Sequence, residues 1–215
     1  MVRAAVPEPI VIVGAGGHGR ELFDAATASG WDVVGFVDDG EVRLDRLERL
    51  GVPLLGGTDW LAAHPARYAI GVGTSTGRRR LRDRLDGAGC RSATIRHPGA
   101  IVGPDVRLGD GVVLYDRCTI TTNVTIGDHT HLNVGCAVQH DSTVGSFVQF
   151  SPGVFVNGDC EIGDNVFLGT GTIVTRGCSV GPGARVGAGA VVLADVAAGA
   201  TVVGVPARPV KSGDP

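Results

Sequence analysis

The sequence predicts a chain in two parts, α/β followed by all-β: a small parallel sheet with helices over residues 1–95, then a parallel β-helix over residues 96–215. Three observations predict it. Aliphatic residues recur every six positions without a break from Val102 to Ala197. Glycine supplies 35 of 215 residues, about twice the usual share, while aromatics are only 5%. That composition suits a backbone that turns often around small side chains. Ahead of the repeat, short β-branched runs alternate with helical stretches, as in a parallel sheet with crossover helices.

Taken in order, residues 9–13 (PIVIV) form a first strand. Gly14, Gly16 and Gly19 then match G-x-G-x-x-G, directly after that strand and opening a helix from about Arg20 to Ser29 that Gly30 closes. WDVVGFVDD is a second strand ending at Asp38, about twenty residues on, where such a turn places its acidic residue. A weak helix is expected near Leu44–Leu50, and TDWLAAHP reads as a short helix capped by Thr58. YAIGVG is a third strand, TGRRRLRDRLDGAG a helix from about Gly77 to Leu85, and CRSATI a fourth strand leading into the repeat. The context is Rossmann-like, with close backbone approach at the glycines and a helix N-terminus facing phosphate. A dinucleotide fold needs two such halves, and only 95 residues stand here, so a mononucleotide-type site is favoured over NAD. A tight glycine turn with no ligand is the plain alternative.

From Val102 the chain divides into sixteen hexapeptides ending at Ala197. Every first position is Val, Leu, Ile or Phe, half of the second positions are Gly, and every fifth is Val, Cys, Thr, Ser or Ala. An α-helix cannot carry this period, and Gly every sixth residue would cost it about 1 kcal/mol each. Three short strands per coil, each followed by a turn, need both features. The first and fifth positions then point into a narrow triangular core, and glycines with Asp and Asn serve the turns. Cys118, Cys136, Cys160 and Cys178 all fall at fifth positions, in two pairs 18 residues apart. They read as small buried hydrophobes stacked one coil apart, not as a disulfide ladder. His129 and His131 have no Cys or carboxylate cluster beside them and read as turn or surface histidines; no metal site is expected. His64 and His97, each before Pro, read as loop residues.

The formal net charge is −3, with acids and bases interspersed in both halves. That leaves no electrostatic footprint for nucleic acid and no polybasic membrane patch. Met1–Ile10 lacks the apolar core of a signal peptide, and no apolar run approaches the ~18 residues of a membrane span. The expected compartment is the cytoplasm.

VGAGGHGRE at 13–21, VDD at 37–39, IGVGTSTGR at 70–78, QHDSTVG at 139–145 and GVPARPVK at 204–211 occur in one order and spacing. With them nearly the whole chain resembles the hexapeptide-repeat sugar acyltransferases, those acting on nucleotide-linked amino sugars or on sialic acid. The resemblance implies a left-handed β-helix, a homotrimer with active sites between subunits, and acetyl-CoA as co-substrate without a metal. It implies that His140 is the general base and that Asp141 raises its basicity. It assigns Gly14, Gly16, Gly17, His18, Asp38, Asp39, Gly73 and Arg78 to the nucleotide sugar, and Gln149, Gly158, Thr170 and Ala188 to acetyl-CoA. In many relatives a second histidine follows nine residues after the first. Gln149 stands there in this chain, so no second imidazole is present, although an amide still donates and accepts.

Acetyl transfer from a thioester needs a group to take the proton of the nucleophile, a donor for the oxyanion, and a departing thiolate. A histidine suits the first task, an adjacent carboxylate orients its ring, and the N–H of Gly158 is a candidate for the second. His140 and Asp141 hold the third and fourth positions of their hexapeptide, near a corner of the coil. They should face outward, toward a neighbouring subunit; a solvated surface histidine is the plain alternative. The expected reaction is N-acetylation of a nucleotide-linked amino sugar. Its rivals are O-acetylation of a sugar or sialic acid hydroxyl, a non-catalytic trimeric scaffold that binds a nucleotide sugar, and an NAD-dependent enzyme.

Overall fold

The computed structural model describes residues 7–210. Residues 1–6, on which the signal-peptide reading mostly rests, and Lys211 lie outside them. Strands β1 (Pro9–Val13), β2 (Asp32–Val37), β3 (Leu54–Gly56), β4 (Arg67–Ile70) and β5 (Arg91–Ser92) form one parallel sheet in the order β3-β2-β1-β4-β5. β1 is central and covered on both faces, which is why it reads as an unbroken apolar run. Helices α1 (Gly17–Ala28) and α2 (Leu44–Glu48) cover one face, burying Leu22, Ala25, Ala26 and Leu47. Helices α3 (Asp59–Ala63) and α4 (Ser75–Gly87) cover the other, burying Leu61 and Leu85. The strand order reverses between β1 and β4, the point at which an open α/β sheet leaves a crevice for a ligand.

Three expectations are corrected here. β3 was not visible in the sequence: three residues after Pro53 show no alternation, and only pairing with β2 makes them a strand. CRSATI is two strands: Arg91–Ser92 ends the α/β sheet, whereas Ile95–Arg96 pairs with Val113–Leu114 as the first strand of the prism. The division drawn between residues 95 and 96 therefore cuts a strand. Thr58 makes no capping bond to α3; its hydroxyl donates to Asp39 Oδ2 instead.

The hexapeptides wind into a left-handed prism of three parallel faces. Face I carries Ile95–Arg96, Val113–Leu114, His131–Leu132, Gln149–Phe150, Phe167–Leu168, Arg185–Val186 and Thr201–Val203, and ends in an antiparallel pairing with Arg208–Pro209. Face II runs from Ile101–Val102 through Thr119–Ile120, Ala137–Val138, Phe155–Val156 and Ile173–Val174 to Val191–Val192. Face III holds Arg107–Leu108, Thr125–Ile126, Thr143–Val144, Glu161–Ile162 and Ser179–Val180. First- and fifth-position side chains fill one core. The four repeat cysteines are free and buried, and burial pushes the thiols of Cys118 and Cys136 up to about 12 and about 11.

Two positions explain the glycines. The fourth position is the corner, with left-handed backbone: φ is 53° at Asn123, 60° at Asp141 and 59° at Asn165. Asn, Asp and Gly bear that conformation at least cost. The second position lies against the next coil, where a Cβ on Gly163 would stand 2.6 Å from the nitrogen of Pro182. The α/β domain docks on face I, whose Val113 and Tyr115 join the apolar cluster beneath α1.

Candidate active site

His140 lies at the corner between faces II and III, and its side chain remains 43% exposed. Its Nδ1 is 2.8 Å from Asp141 Oδ2, a pairing in which Nδ1 donates and Nε2 keeps its lone pair. The Asp141 carboxyl is held below the usual range by hydrogen bonds, first from Asn123 and then from His140. The ring rests over Gly158, one coil on: a Cβ there would come within 2.6 Å of Nε2, so only glycine leaves room. Among the described residues the Gly158 N–H has no hydrogen-bond acceptor. Thr170 and Ala188 are exposed and stack one coil apart, but on the corner between faces I and II. One chain does not bring them to His140.

In the α/β domain, Gly14 has a φ of 104° and Gly16 is open to approach. Asp38 braces this turn, accepting the N–H groups of Ala15 at 2.7 Å and Gly40 at 2.8 Å. Asp39 accepts the backbone N–H and hydroxyl of Thr58, both at 2.7 Å, and these bonds hold its carboxyl below the usual range. Both aspartates thus tie loops together. With Gly14, Thr58, Val72 and Leu81 they line a cleft of about 160 Å³. A larger cleft, about 600 Å³, opens between α1 and α2 and is lined by Gly17, Arg20, Glu21, Asp24, Arg46 and Arg49. The sequence reading missed these three arginines. Arg46 and Arg49 are three apart around the short α2, a spacing that places both toward one side.

The seam between domain and prism overturns several assignments. Arg78 is fully buried. Its Nε donates to His129 O, its Nη1 to Val72 O, Gly73 O and Gln149 Oε1, and its Nη2 to Phe147 O and Val148 O, at 2.7–3.1 Å. No donor is left for a phosphate. Gln149 is also buried, with its carbonyl accepting from Arg78 and one amide N–H donating to Phe150 O, so it serves the seam rather than an open surface. Gly73 remains open, although its carbonyl is taken. His18 Nε2 lies 3.0 Å from His131 Nδ1 across the seam, so its ring joins the domains rather than facing a ligand. His131 and His129 are buried, not surface residues; His129 stacks on Phe147 at 5.3 Å, and the Arg79 guanidinium lies over the Phe147 ring.

Burial, reinforced by Arg78, lowers the pKa of His18 and holds that of His131 well down; burial, then Arg82, brings His129 to about 4. Asp86 and Asp128 oppose the shift of His129, and Glu21 that of His18, without cancelling them. All three rings bind protons more readily unfolded than folded. Their stabilising contribution is therefore present above about pH 6.5 and is lost as pH falls toward about 4. Calorimetry should show the melting temperature falling steeply through that window. His129→Asn, which tolerates the corner φ of 52°, should flatten the fall by up to one proton, about 1.4 kcal/mol per pH unit.

Among the described residues no group of three or more His, Cys, Asp or Glu is placed to hold a metal, and no helix is long and apolar enough to cross a membrane. The PglD N-terminal domain model matches residues 9–85, and the bacterial transferase hexapeptide model (six repeats) matches residues 159–194. Among curated proteins none matches the sequence. Solved structures do match over nearly the full length. The acetyltransferase domain of PglB from Neisseria gonorrhoeae, in complex with acetyl coenzyme A, is 30% identical; the match covers 95% of this chain and all of that one, with a TM-score of 0.87. PerB from Caulobacter crescentus, in complex with CoA and GDP-perosamine, is 32% identical, covering 94% and 97% of the two chains at a TM-score of 0.87. WeeI from Acinetobacter baumannii is 29% identical, covering 94% and 99% at a TM-score of 0.82.

Proposed function

Since this chain belongs to the sugar acetyltransferases that join a PglD-type N-terminal domain to a left-handed hexapeptide-repeat prism, we propose that it moves the acetyl group of acetyl-CoA to the amine of a nucleotide-linked amino sugar. The donor is that of its PglB relative, and the acceptor class is that of the PerB complex. The observation that carries the reading is the His140–Asp141 pair, joined at 2.8 Å with Nε2 free over Gly158. The neutral amine attacks the thioester carbonyl while Nε2 takes its proton. The oxyanion of the tetrahedral intermediate meets the unpaired N–H of Gly158. Collapse breaks the C–S bond, and the histidinium returns its proton to the departing thiolate. No covalent enzyme intermediate is needed.

The acceptor's nucleotide belongs at the open turn of Gly14, Gly16 and Gly17. Arg20, Arg46 and Arg49 replace Arg78 as the guanidinium groups suited to its diphosphate.

The placement of the parts supports assembly as a homotrimer. His140 occupies the corner opposite face I, the face on which its own α/β domain docks. A nucleotide sugar held by that domain would lie on the other side of the prism from His140, which favours delivery from a neighbouring subunit. Face II carries an outward apolar row in register, with Ile101 67%, Phe155 45% and Ile173 37% exposed. Such a row on one flat face fits burial against another copy of the same prism.

The test is thiol release from acetyl-CoA against nucleotide-linked amino sugars and their hydroxyl analogues, with sedimentation run alongside. Release with the amino sugars, from a particle three times 21.9 kDa, is expected. Release with the hydroxyl analogues alone would make it an O-acetyltransferase, and nucleotide-sugar binding without release would make it a scaffold.

A further inference from the structure

The corner that presents His140 carries a second polar layer. Asn123 lies 18 residues before Asp141, at the same fourth position of the preceding coil and in the same left-handed conformation, 53° against 60°. Stacking of the coils sends both side chains along one edge. Asn123 Nδ2 donates to Asp141 Oδ1 at 2.8 Å, while Asp141 Oδ2 accepts from His140 Nδ1. Asn123 is itself held. Its backbone N–H donates to Asp105 Oδ2 at 2.9 Å, and the same oxygen accepts the Thr122 hydroxyl at 2.7 Å. The carbonyl of Thr122 in turn accepts the backbone N–H of Asp141 at 3.2 Å.

We propose that Asn123 is a positioning residue for acetyl transfer: by occupying Asp141 Oδ1 it stops the carboxylate rotating, keeps Oδ2 on His140 Nδ1, and so keeps Nε2 as the nitrogen presented to the acceptor. The inference rests on His140 being the base. An exposed carboxylate turns easily about its last bond and exchanges partners with water. One anchored oxygen removes that freedom. The corner backbone alone does not call for asparagine, because Gly and Asp tolerate the same φ. Of the three, only Asn adds a donor there, and an Asp would set another carboxylate between Asp105 and Asp141.

Two variants keep the backbone content. Asn123→Gly removes the amide, and Asn123→Asp keeps the size but loses the donor. Both should lower kcat about 10-fold, short of the ~100-fold that a 1 Å misplacement can cost, with KM for both substrates and the melting temperature little changed. In an Asp141→Asn background, Asn123→Gly should cost nothing more, since the route through Asp141 is already broken. Full kcat in either single variant, or an equal further loss in the Asp141→Asn background, overturns the inference. His140→Ala run alongside separates the two failures. If it stays active, the base assignment falls and this inference falls with it. If it is inactive while the Asn123 variants are normal, only this inference falls.

Discussion

His140→Ala is expected to turn over at least ~100-fold more slowly, the scale of a lost general base, while the prism, its assembly and both binding sites persist. The ring is 43% exposed at a corner, outside the core, so its loss opens no cavity. Its neighbours keep their own bonds: Asp141 retains Asn123, and Asp159 N–H still donates to the backbone carbonyl of residue 140 at 2.8 Å. What disappears is the proposed acceptor of the amine's proton. Asp141 points toward Nδ1, away from the nitrogen that faces the acceptor. Asp141→Asn should therefore cost less than His140→Ala, because it loosens the base without removing it. The measurement is kcat by thiol release at saturating acetyl-CoA and acceptor, with substrate affinity measured separately by calorimetry. A near-normal kcat would leave the dyad as a solvated surface pair. A large loss of affinity with kcat intact would assign His140 to binding.

How much of this was legible depended on whether register alone decides a residue's surroundings. First- and fifth-position residues were placed correctly because every coil treats those positions alike. Sixth-position residues were not. Thr125 and His131 hold the same place in successive hexapeptides, yet Thr125 is exposed on face III and His131 is buried on face I. The repeat cannot say which face another domain will cover. The same blindness misassigned Arg78, one of five arginines in RRRLRDRL; only docking singles it out. The corner rule was half hidden as well. Gly and Asn advertise a left-handed residue, but His129 and Phe147 adopt one too, at 52° and 59°, where their stacked rings meet α4. The His140–Asp141 pair was visible because its members are adjacent. Asn123 was not, although its 18-residue spacing from Asp141 was already implicit in the period that revealed the fold.

Arg78→Met is expected to cost about 3–5 kcal/mol of stability, the scale of several buried acceptors left without a donor at about 1–3 kcal/mol each. Met fills much of the same volume, so packing is not the main loss. The loss is polar: one guanidinium serves six acceptors, five of them backbone carbonyls; without it Gln149 Oε1 and the carbonyls of His129 and Phe147 would be buried with no donor, whereas Val148 O keeps the N–H of His131. Because those partners include no carboxylate, desolvation alone brings Arg78 down to about 10, still protonated at neutral pH. The charge is carried by carbonyl dipoles converging from β4's loop and from the prism corner. Lys in its place should recover only part of the loss, since three donors at one point cannot reach acceptors spread around a planar fork. Urea unfolding measures the cost, and limited proteolysis near residues 92–95 shows whether the α/β domain has come away from face I. A Met variant less than ~1 kcal/mol weaker, with acceptor KM greatly raised, would return Arg78 to the phosphate and leave the seam to the histidines and the apolar cluster. The sealed geometry argues the other way: this arginine fixes where the glycine-rich turn stands relative to the prism, and the arginines lining the open cleft are Arg20, Arg46 and Arg49.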